Sequence, residues 1–292
     1  MLKKLLIWSI AMFLIPLVMA ETWSENTDKT AIIFNRSIDL HQFDNNLTGG
    51  NDTNKLEGTL VGTPTRITPG AVGSGAMQIN TGDTGLNITQ FKKAYPSGNF
   101  SAGCNLNQTI GGASENRYII TRYSNGTAGS HWQLFQDSTD NTLKFDTFDG
   151  TTEIRASVIM ILSSNSSIVV TVNGTGTTTK QYIYINGTER ASASGTLTIN
   201  PSDELIYGFR HKALAGSTSW QGRLDECFVA NYTMPSDHVK HWDDLTRVNK
   251  TPLWNGSNVS ATPPPADTTP PIITLINLTS EGGLGQIVFD TT

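Results

Sequence analysis

Short alternations of apolar and polar residues, separated by turn residues, dominate the chain after Thr30. The stretches 156–164 and 166–174 are the most apolar beyond the first twenty residues, and the second has the composition of a strand buried in a core. The segment 99–109 places its apolar side chains on one side of an extended strand: Phe100, Ala102, Cys104 and Leu106. About a dozen such stretches predict an all-β fold.

Turn and helix signals complete this pattern. The segment 76–88 predicts a hairpin around the turn TGDTG, and Asn186-Gly187 predicts a tight turn in a second hairpin. The one helical pattern runs from Ser236 to Leu245, where Val239, Trp242 and Leu245 recur every third residue, and Ser236 could cap its start. Many strands with a single short helix are typical of a β-sandwich or jelly roll.

The two ends of the chain differ from the middle. Residues 1–20 combine two lysines, an apolar run and a small-residue cleavage site, and so predict a secretory signal peptide, with an uncleaved anchor as the alternative. We expect one domain over 21–250. The segment 251–271 is a Pro/Thr-rich linker, and 272–292 reads as the first, truncated part of a further immunoglobulin-like β domain.

Composition narrows the function classes. Charged residues make up 15% of the 292 residues, with a net charge of -5, and no basic patch with interleaved aromatics is present, which disfavours nucleic acid as a partner. Two cysteines, Cys104 and Cys227, indicate one disulfide in an exported chain, or two buried thiols.

About fifteen Asn-x-Ser/Thr sequons occur in the chain. If the host glycosylates exported proteins, they mark a glycoprotein, although a chain this rich in Asn, Ser and Thr also produces sequons by chance. The glycosylation candidates are Asn35, Asn87, Asn125, Asn173, Asn186 and Asn231.

The order of several motifs resembles a known family. DLHQFDNN, EGTLVGTP, AMQINTGD, YINGTER and the closing run GRLDECFVANYTMPSDHVKHW follow the order of landmarks in laminin G-like, or concanavalin A-like, jelly-roll domains. The resemblance covers about 38–248 and implies a sandwich of two antiparallel sheets with a short C-terminal helix. It also implies a Cys104–Cys227 disulfide, because both cysteines replace apolar residues on strands that the family places side by side.

The adjacent acids Asp225 and Glu226 raise the question of catalysis. Simple alternation puts Asp225 on the core side with Cys227 and Val229, and puts Leu224 and Glu226 on the opposite side. Asp225 could then accept hydrogen bonds from a loop or help to bind a cation. Carboxylates on opposite faces cannot flank one glycosidic bond. The Glu-x-Asp-x-Glu string of laminarinase-type relatives is also absent. We therefore expect a non-enzyme.

A structural calcium ion is a further expectation, because many jelly rolls of this type hold one. The candidate ligands are Asn80, Asp83, Asp225 and Asp44, with ordinary turn chemistry as the alternative reading of these side chains. His238 and His241 lie three residues apart on the predicted helix. They could share a metal, but a solvated helix face explains them more simply.

These observations favour a secreted or surface-exposed module that binds carbohydrate or mediates adhesion. Exposed aromatic residues would stack on sugars, and Trp132, Trp220, Tyr123 and Phe148 are the candidates, although each could instead belong to the core. The alternative is a structural spacer in a surface or virion fibre protein. A glycoside hydrolase of the same fold is the third reading.

Overall fold

The computed structural model describes the central part of the chain. The described ranges are 29–43, 47–48, 58–80, 84–88, 98–108, 115–123, 131–140, 142–159, 165–175, 178–197, 204–209 and 218–251. The predicted signal peptide, the predicted linker 251–271 apart from Thr251, and the segment 272–292 lie outside them. Within these ranges, no helix has the length and apolar character needed to cross a membrane.

Among the described residues, eight strands form the first sheet. They are β1 (Ser37–His41), β3 (Thr65–Ile67), β4 (Ala76–Ile79), β6 (Asn99–Gln108), β11 (Ser166–Thr175), β12 (Thr178–Ile185), β13 (Thr188–Gly195) and β16 (Gly222–Ala230). The order across the sheet is β13-β12-β11-β6-β16-β4-β3, with β1 also paired to β16. All of these pairings are antiparallel.

Eight further strands of the described ranges form the second sheet. They are β2 (Thr59–Val61), β5 (Gly85–Ile88), β7 (Arg117–Tyr123), β8 (His131–Gln136), β9 (Thr142–Phe148), β10 (Glu153–Ile159), β14 (Glu204–Tyr207) and β15 (Thr218–Ser219). The order is β10-β9-β8-β7-β14-β5-β2, and the short β15 pairs with β7 in parallel. The two sheets confirm the predicted sandwich.

The core lies between the sheets and follows the alternation read from the sequence. The four apolar residues of β6 and Ile168, Val170 and Val172 of β11 belong to one cluster of buried side chains. The predicted Asn186-Gly187 turn joins β12 to β13, with both residues at positive φ (52° and 71°). Asparagine and glycine tolerate this backbone conformation best, which explains why they occupy the turn.

Strand β16 departs from simple alternation at a β-bulge. Its pairing with β6 shifts between Asp225 and Phe228, and Glu226 has a φ of 46°. The extra residue puts Leu224, Cys227 and Val229 together in the core. The expected core-side position of Asp225 is therefore wrong, because a bulge reverses the alternation on one side of itself.

The bulge lies beside a disulfide bond. Cys104 and Cys227 are bonded, their Cα atoms are 4.2 Å apart, and neither side chain is exposed to solvent. The bond joins neighbouring strands near the middle of the first sheet, as the resemblance to the family implied. It links residues 123 positions apart in the chain.

Strand β1 brings polar side chains into the space between the sheets. Asp39 and His41 are fully buried and pair in register with Val229 and Cys227, which face the core. The Tyr207 hydroxyl of the second sheet donates a hydrogen bond to Asp39, and His41 Nε2 lies 3.3 Å from the same carboxylate. Burial, together with the charge of Asp39, raises the pKa of Tyr207 well above its usual value. A polar contact thus connects the two sheets.

In the part of the chain that the structure describes, two short helices pack outside the sandwich. Helix α1 spans 29–36 and was not expected from the sequence; its Ile33 and Phe34 are buried, so tertiary packing outweighs a weak local helix signal. Helix α2 (Ser236–Asp243) confirms the predicted C-terminal helix and continues into a π-helical turn, Asp244–Val248. Ser236 is not its cap, because the N-cap position belongs to Pro235.

We predict that the Cys104→Ala/Cys227→Ala variant loses about 2–5 kcal/mol of unfolding free energy, because the bond restricts a long loop in the unfolded chain. Urea unfolding measures the loss. A reducing agent should lower the unfolding midpoint of the parent protein and leave that of the variant unchanged. A loss below about 1 kcal/mol would contradict this role for the bond.

Candidate functional site: the outer face of the second sheet

Strands β8, β9 and β10 carry polar and aromatic side chains on the side of the second sheet that faces away from the core. Their inward positions hold core residues such as Trp132, Leu134 and Phe145, so the alternate positions point outward. The strand register places His131 opposite Phe148, and Asp146 between Gln133 and Arg155. We call the following residues the outer face: His131, Gln133, Phe135, Lys144, Asp146, Phe148, Glu153 and Arg155.

An ion-pair network lies at the centre of this face. Arg155 binds Asp146 through two parallel contacts, Nε to Oδ1 at 2.7 Å and Nη2 to Oδ2 at 2.8 Å. The same Nη2 lies 2.6 Å from Oε1 of Glu153, and Gln133 donates to Asp146 at 3.4 Å. The hydrogen bonds to Asp146 raise the pKa of Arg155, while burial and the charge of Asp146 raise the pKa of Glu153.

One member of the network, Asp146, is buried, whereas Arg155 and Glu153 are accessible to solvent. Asp146 is 1% exposed, whereas the side chains of Arg155 and Glu153 are 45% and 43% exposed. Ligands can therefore reach the outer part of the network, while Asp146 holds the guanidinium in one orientation. Such a pre-positioned group loses little conformational entropy on binding.

Gln181 of the opposite sheet supports this geometry from behind. Its side-chain amide is fully buried and donates to the carbonyl oxygens of Phe145 and Ile154, at 2.8 and 3.0 Å. These two residues immediately precede Asp146 and Arg155. Its carbonyl oxygen accepts a bond from Thr147 at 2.7 Å. Gln181 thereby fixes the relative position of β9 and β10 beneath the ion pair.

A second cation lies at one end of the face. Lys144 Nζ lies 3.0 Å from Asp137 and 3.1 Å from Asp140, two carboxylates of the turn after β8. Burial lowers the pKa of Lys144, but the hydrogen bonds and charges of both aspartates outweigh this and raise it. Lys144 is thus held between two carboxylates, as Arg155 is.

An aromatic pair lies beside the network at the other end. The rings of His131 and Phe148 have centroids 5.2 Å apart, and both side chains are half-buried. Tyr123, a predicted ligand-binding residue, pairs in register with His131, but its side chain lies outside the described part. Phe148 was also a predicted candidate. Ligand binding by either residue stays a prediction, and the sequence analysis did not anticipate the network beside them.

The two tryptophans predicted to stack on sugars belong to the core. Trp132 is 1% exposed and Trp220 is fully buried. The Trp132 ring packs against Phe100, with centroids 5.0 Å apart. Neither ring offers a face to a surface ligand, so the expectation for these two residues is wrong. The outward positions of β8 at this point are held by His131 and Gln133, which flank Trp132 in the sequence.

The acidic doublet of β16 is engaged in structural contacts. Asp225 accepts hydrogen bonds at Oδ2 from the Val72 backbone N–H and at Oδ1 from the Glu226 N–H, both at 2.9 Å. Glu226 accepts a bond from Gln42 at 2.8 Å. Both acids are at most 1% exposed. Asp225 thus holds a loop through backbone N–H groups, one of the two roles that the sequence allowed.

The calcium expectation stays a prediction. Asp44 and Asp83 lie outside the described residues, and Asn80 accepts a hydrogen bond from Gln78 at 3.0 Å. In the described ranges, no group of three or more His, Cys, Asp or Glu side chains is placed to hold a metal.

His238 and His241 contact neighbouring side chains instead of one another. His241 Nε2 lies 2.8 Å from Thr30 Oγ1 of α1, and His238 Nδ1 lies 3.3 Å from the Tyr232 hydroxyl. Burial lowers the pKa of both imidazoles, and the nearby charge of Lys29 lowers both further, while Asp237 opposes this. These contacts explain the pair without a metal ion.

The glycosylation candidates differ in exposure. Asn35 and Asn231 are exposed, whereas Asn87, Asn173 and Asn186 are half-buried. The Asn87 amide nitrogen, the atom that would carry a glycan, donates to Glu204 at 3.2 Å. Asn125 lies outside the described residues. Glycosylation stays a prediction, and exposure favours Asn35 and Asn231.

Comparison with known proteins assigns the family. A family model described as the concanavalin A-like lectin/glucanases superfamily matches residues 80–240. The chain belongs to this superfamily. No curated protein sequence matches the chain.

Solved structures share this concanavalin A-like fold at low identity. Domain 4 of an extracellular arabinanase from Geobacillus stearothermophilus, in complex with arabinotriose, is 14% identical (TM-score 0.56; 70% of this chain and 97% of that chain). The receptor-binding domain of botulinum neurotoxin type G is also 14% identical (TM-score 0.53; 72% of this chain and 51% of that chain). A Trypanosoma rangeli sialidase in complex with 2,3-difluorosialic acid is 11% identical (TM-score 0.56; 80% of this chain and 39% of that chain). The chain spans about half or less of the last two.

We predict that acidification weakens the packing of α1 on α2. The pKa values of His238 and His241 are lowered in the folded state from their ordinary value of 6.5. As the pH falls, the imidazoles of the unfolded chain therefore bind protons before those of the folded chain do. The contribution of the neutral imidazoles to folding stability is complete above about pH 7. It is lost as the pH falls through 6.5 towards the lowered pKa values of the folded state.

Thermal unfolding between about pH 7.5 and 5 measures this effect. The His238→Gln/His241→Gln variant, which lacks both titrating groups, should show a smaller decrease in melting temperature over that interval. An equal decrease in parent and variant would contradict the assignment.

Proposed function

We propose that the chain is a non-catalytic carbohydrate-binding module and that its outer face is the binding surface. The observation that carries the proposal is the pre-positioned Asp146–Arg155–Glu153 network beside the His131–Phe148 aromatic pair. Sugars present hydroxyl groups, which hydrogen-bond to fixed polar side chains, and apolar C–H faces, which pack on aromatic rings. The outer face offers both kinds of partner next to each other.

The superfamily of this chain and solved structures of the same fold support a carbohydrate as the ligand. The arabinanase domain was solved with arabinotriose and the sialidase with a sialic acid derivative. Both share the concanavalin A-like fold with this chain. The fold hosts binding domains as well as enzymes, so the assignment rests on the residues of the outer face.

The geometry of the acids supports binding over hydrolysis. Glycosidases use two carboxyl groups placed on either side of the scissile bond. Asp146 and Glu153 instead bind the same Nη2 of Arg155, so a guanidinium occupies the space between them. Asp225 and Glu226 are buried in structural contacts.

Export of the chain fits this function. The Cys104–Cys227 disulfide is typical of an oxidising compartment, and the N-terminal apolar segment has the composition of a secretory signal. We therefore propose that the module acts outside the cytoplasm, in a secreted or surface-attached protein, with glycans of a cell surface or matrix as partners.

We predict that the purified chain binds a subset of glycans on an array and that Phe148→Ala or Glu153→Ala weakens the binding about tenfold, equivalent to about 1.4 kcal/mol. Tyr182→Ala is the matched control, because this half-buried aromatic residue lies on the opposite sheet. It should leave the affinity unchanged.

Melting curves of the three variants show that each is folded. Binding that is lost only in the Tyr182→Ala variant would move the site to the first sheet. A folded protein that binds none of the plant, bacterial and animal glycans on the array would contradict the proposal and favour a structural spacer.

A further inference from the structure

Arg155 and Lys144, the arginine and the lysine of the outer face, both form ion pairs with carboxylates of the protein. Arg155 binds Asp146 and Glu153 at 2.6 to 2.8 Å. Lys144 binds Asp137 and Asp140 at 3.0 and 3.1 Å. The described part of this surface therefore offers no cation that lacks an acidic partner of its own.

The acids also outnumber the cations. Four carboxylates surround two positive side chains, which leaves two negative charges in excess among these residues. Two of the acids are substantially accessible: Glu153 and Asp140 are 43% and 47% exposed. A ligand that approaches this surface meets carboxylate oxygens, which accept hydrogen bonds and repel other anions.

We infer that the saccharide recognised at the outer face is uncharged, and that glycans carrying a sialic or uronic acid carboxylate are excluded. This inference rests on the proposed function. A sugar hydroxyl can donate to the Glu153 carboxylate, which is 43% exposed, without displacing Arg155. A ligand carboxylate would have to displace Asp146 or Glu153 from the guanidinium, and Asp146 is 1% exposed and bound through two contacts.

Matched pairs of saccharides test this selectivity. Each pair contains a neutral oligosaccharide and the same compound extended or substituted with an acidic sugar, for example lactose and sialyllactose. Calorimetric titration of the full chain should show at least about tenfold tighter binding of the neutral member, and the ratio should decrease when the salt is raised from about 0.05 to 0.5 M. Equal or tighter binding of the acidic member would overturn the inference.

A charge variant sharpens the test. Asp140→Asn removes one accessible negative charge next to Lys144, so it should reduce the preference for the neutral member several-fold. Asp237→Asn is the matched control: it also removes an exposed aspartate from a lysine pair, Lys29–Asp237, but on helix α2. It should leave the preference unchanged.

The outcomes separate the two proposals. If neither member of any pair binds, the proposed carbohydrate binding fails and the selectivity falls with it. If the acidic members bind better, or if Asp237→Asn changes the preference as much as Asp140→Asn, carbohydrate binding stands and only the selectivity for uncharged glycans is wrong.

Discussion

The bulge in β16, beside the Cys104–Cys227 bond, sets the two-sided pattern of the first sheet. Two residues of β16 lie opposite one residue of β6 at this point, so Leu224 and Cys227 both face the core although two residues separate them. Phe228 then points away from the core and packs against Trp242 of α2, with ring centroids 5.2 Å apart. Without the extra residue, one half of the strand would turn its polar side inward.

The core that this strand completes also fixes the candidate site. Trp132 and Phe145 anchor β8 and β9 from inside, and Gln181 reaches across from the first sheet to the carbonyl groups of β9 and β10. The outward residues between these anchors therefore have little freedom to move. The site depends on rigid strands, which hold a binding geometry more closely than loops do.

The sequence predicts the fold well, because alternation and turn chemistry are local signals. The inward side of β6 and the Asn186-Gly187 turn follow directly from them. The bulge at Glu226 and helix α1 carry no local signal of comparable strength, since both depend on contacts with distant residues such as Gln42 and His241. Trp132 belongs to the core, the alternative that the sequence left open, and its neighbours His131 and Gln133 take the outward positions.

The network on the outer face could not be predicted from sequence, because Gln133, Asp146, Glu153 and Arg155 lie on three strands whose pairing no local pattern specifies.

Chemical-shift mapping with the tightest-binding oligosaccharide tests most directly whether the outer face is the binding surface. The account predicts that the largest amide shifts fall between residues 131 and 155, while 178–195 change little. Shifts concentrated on β12 and β13 would contradict it.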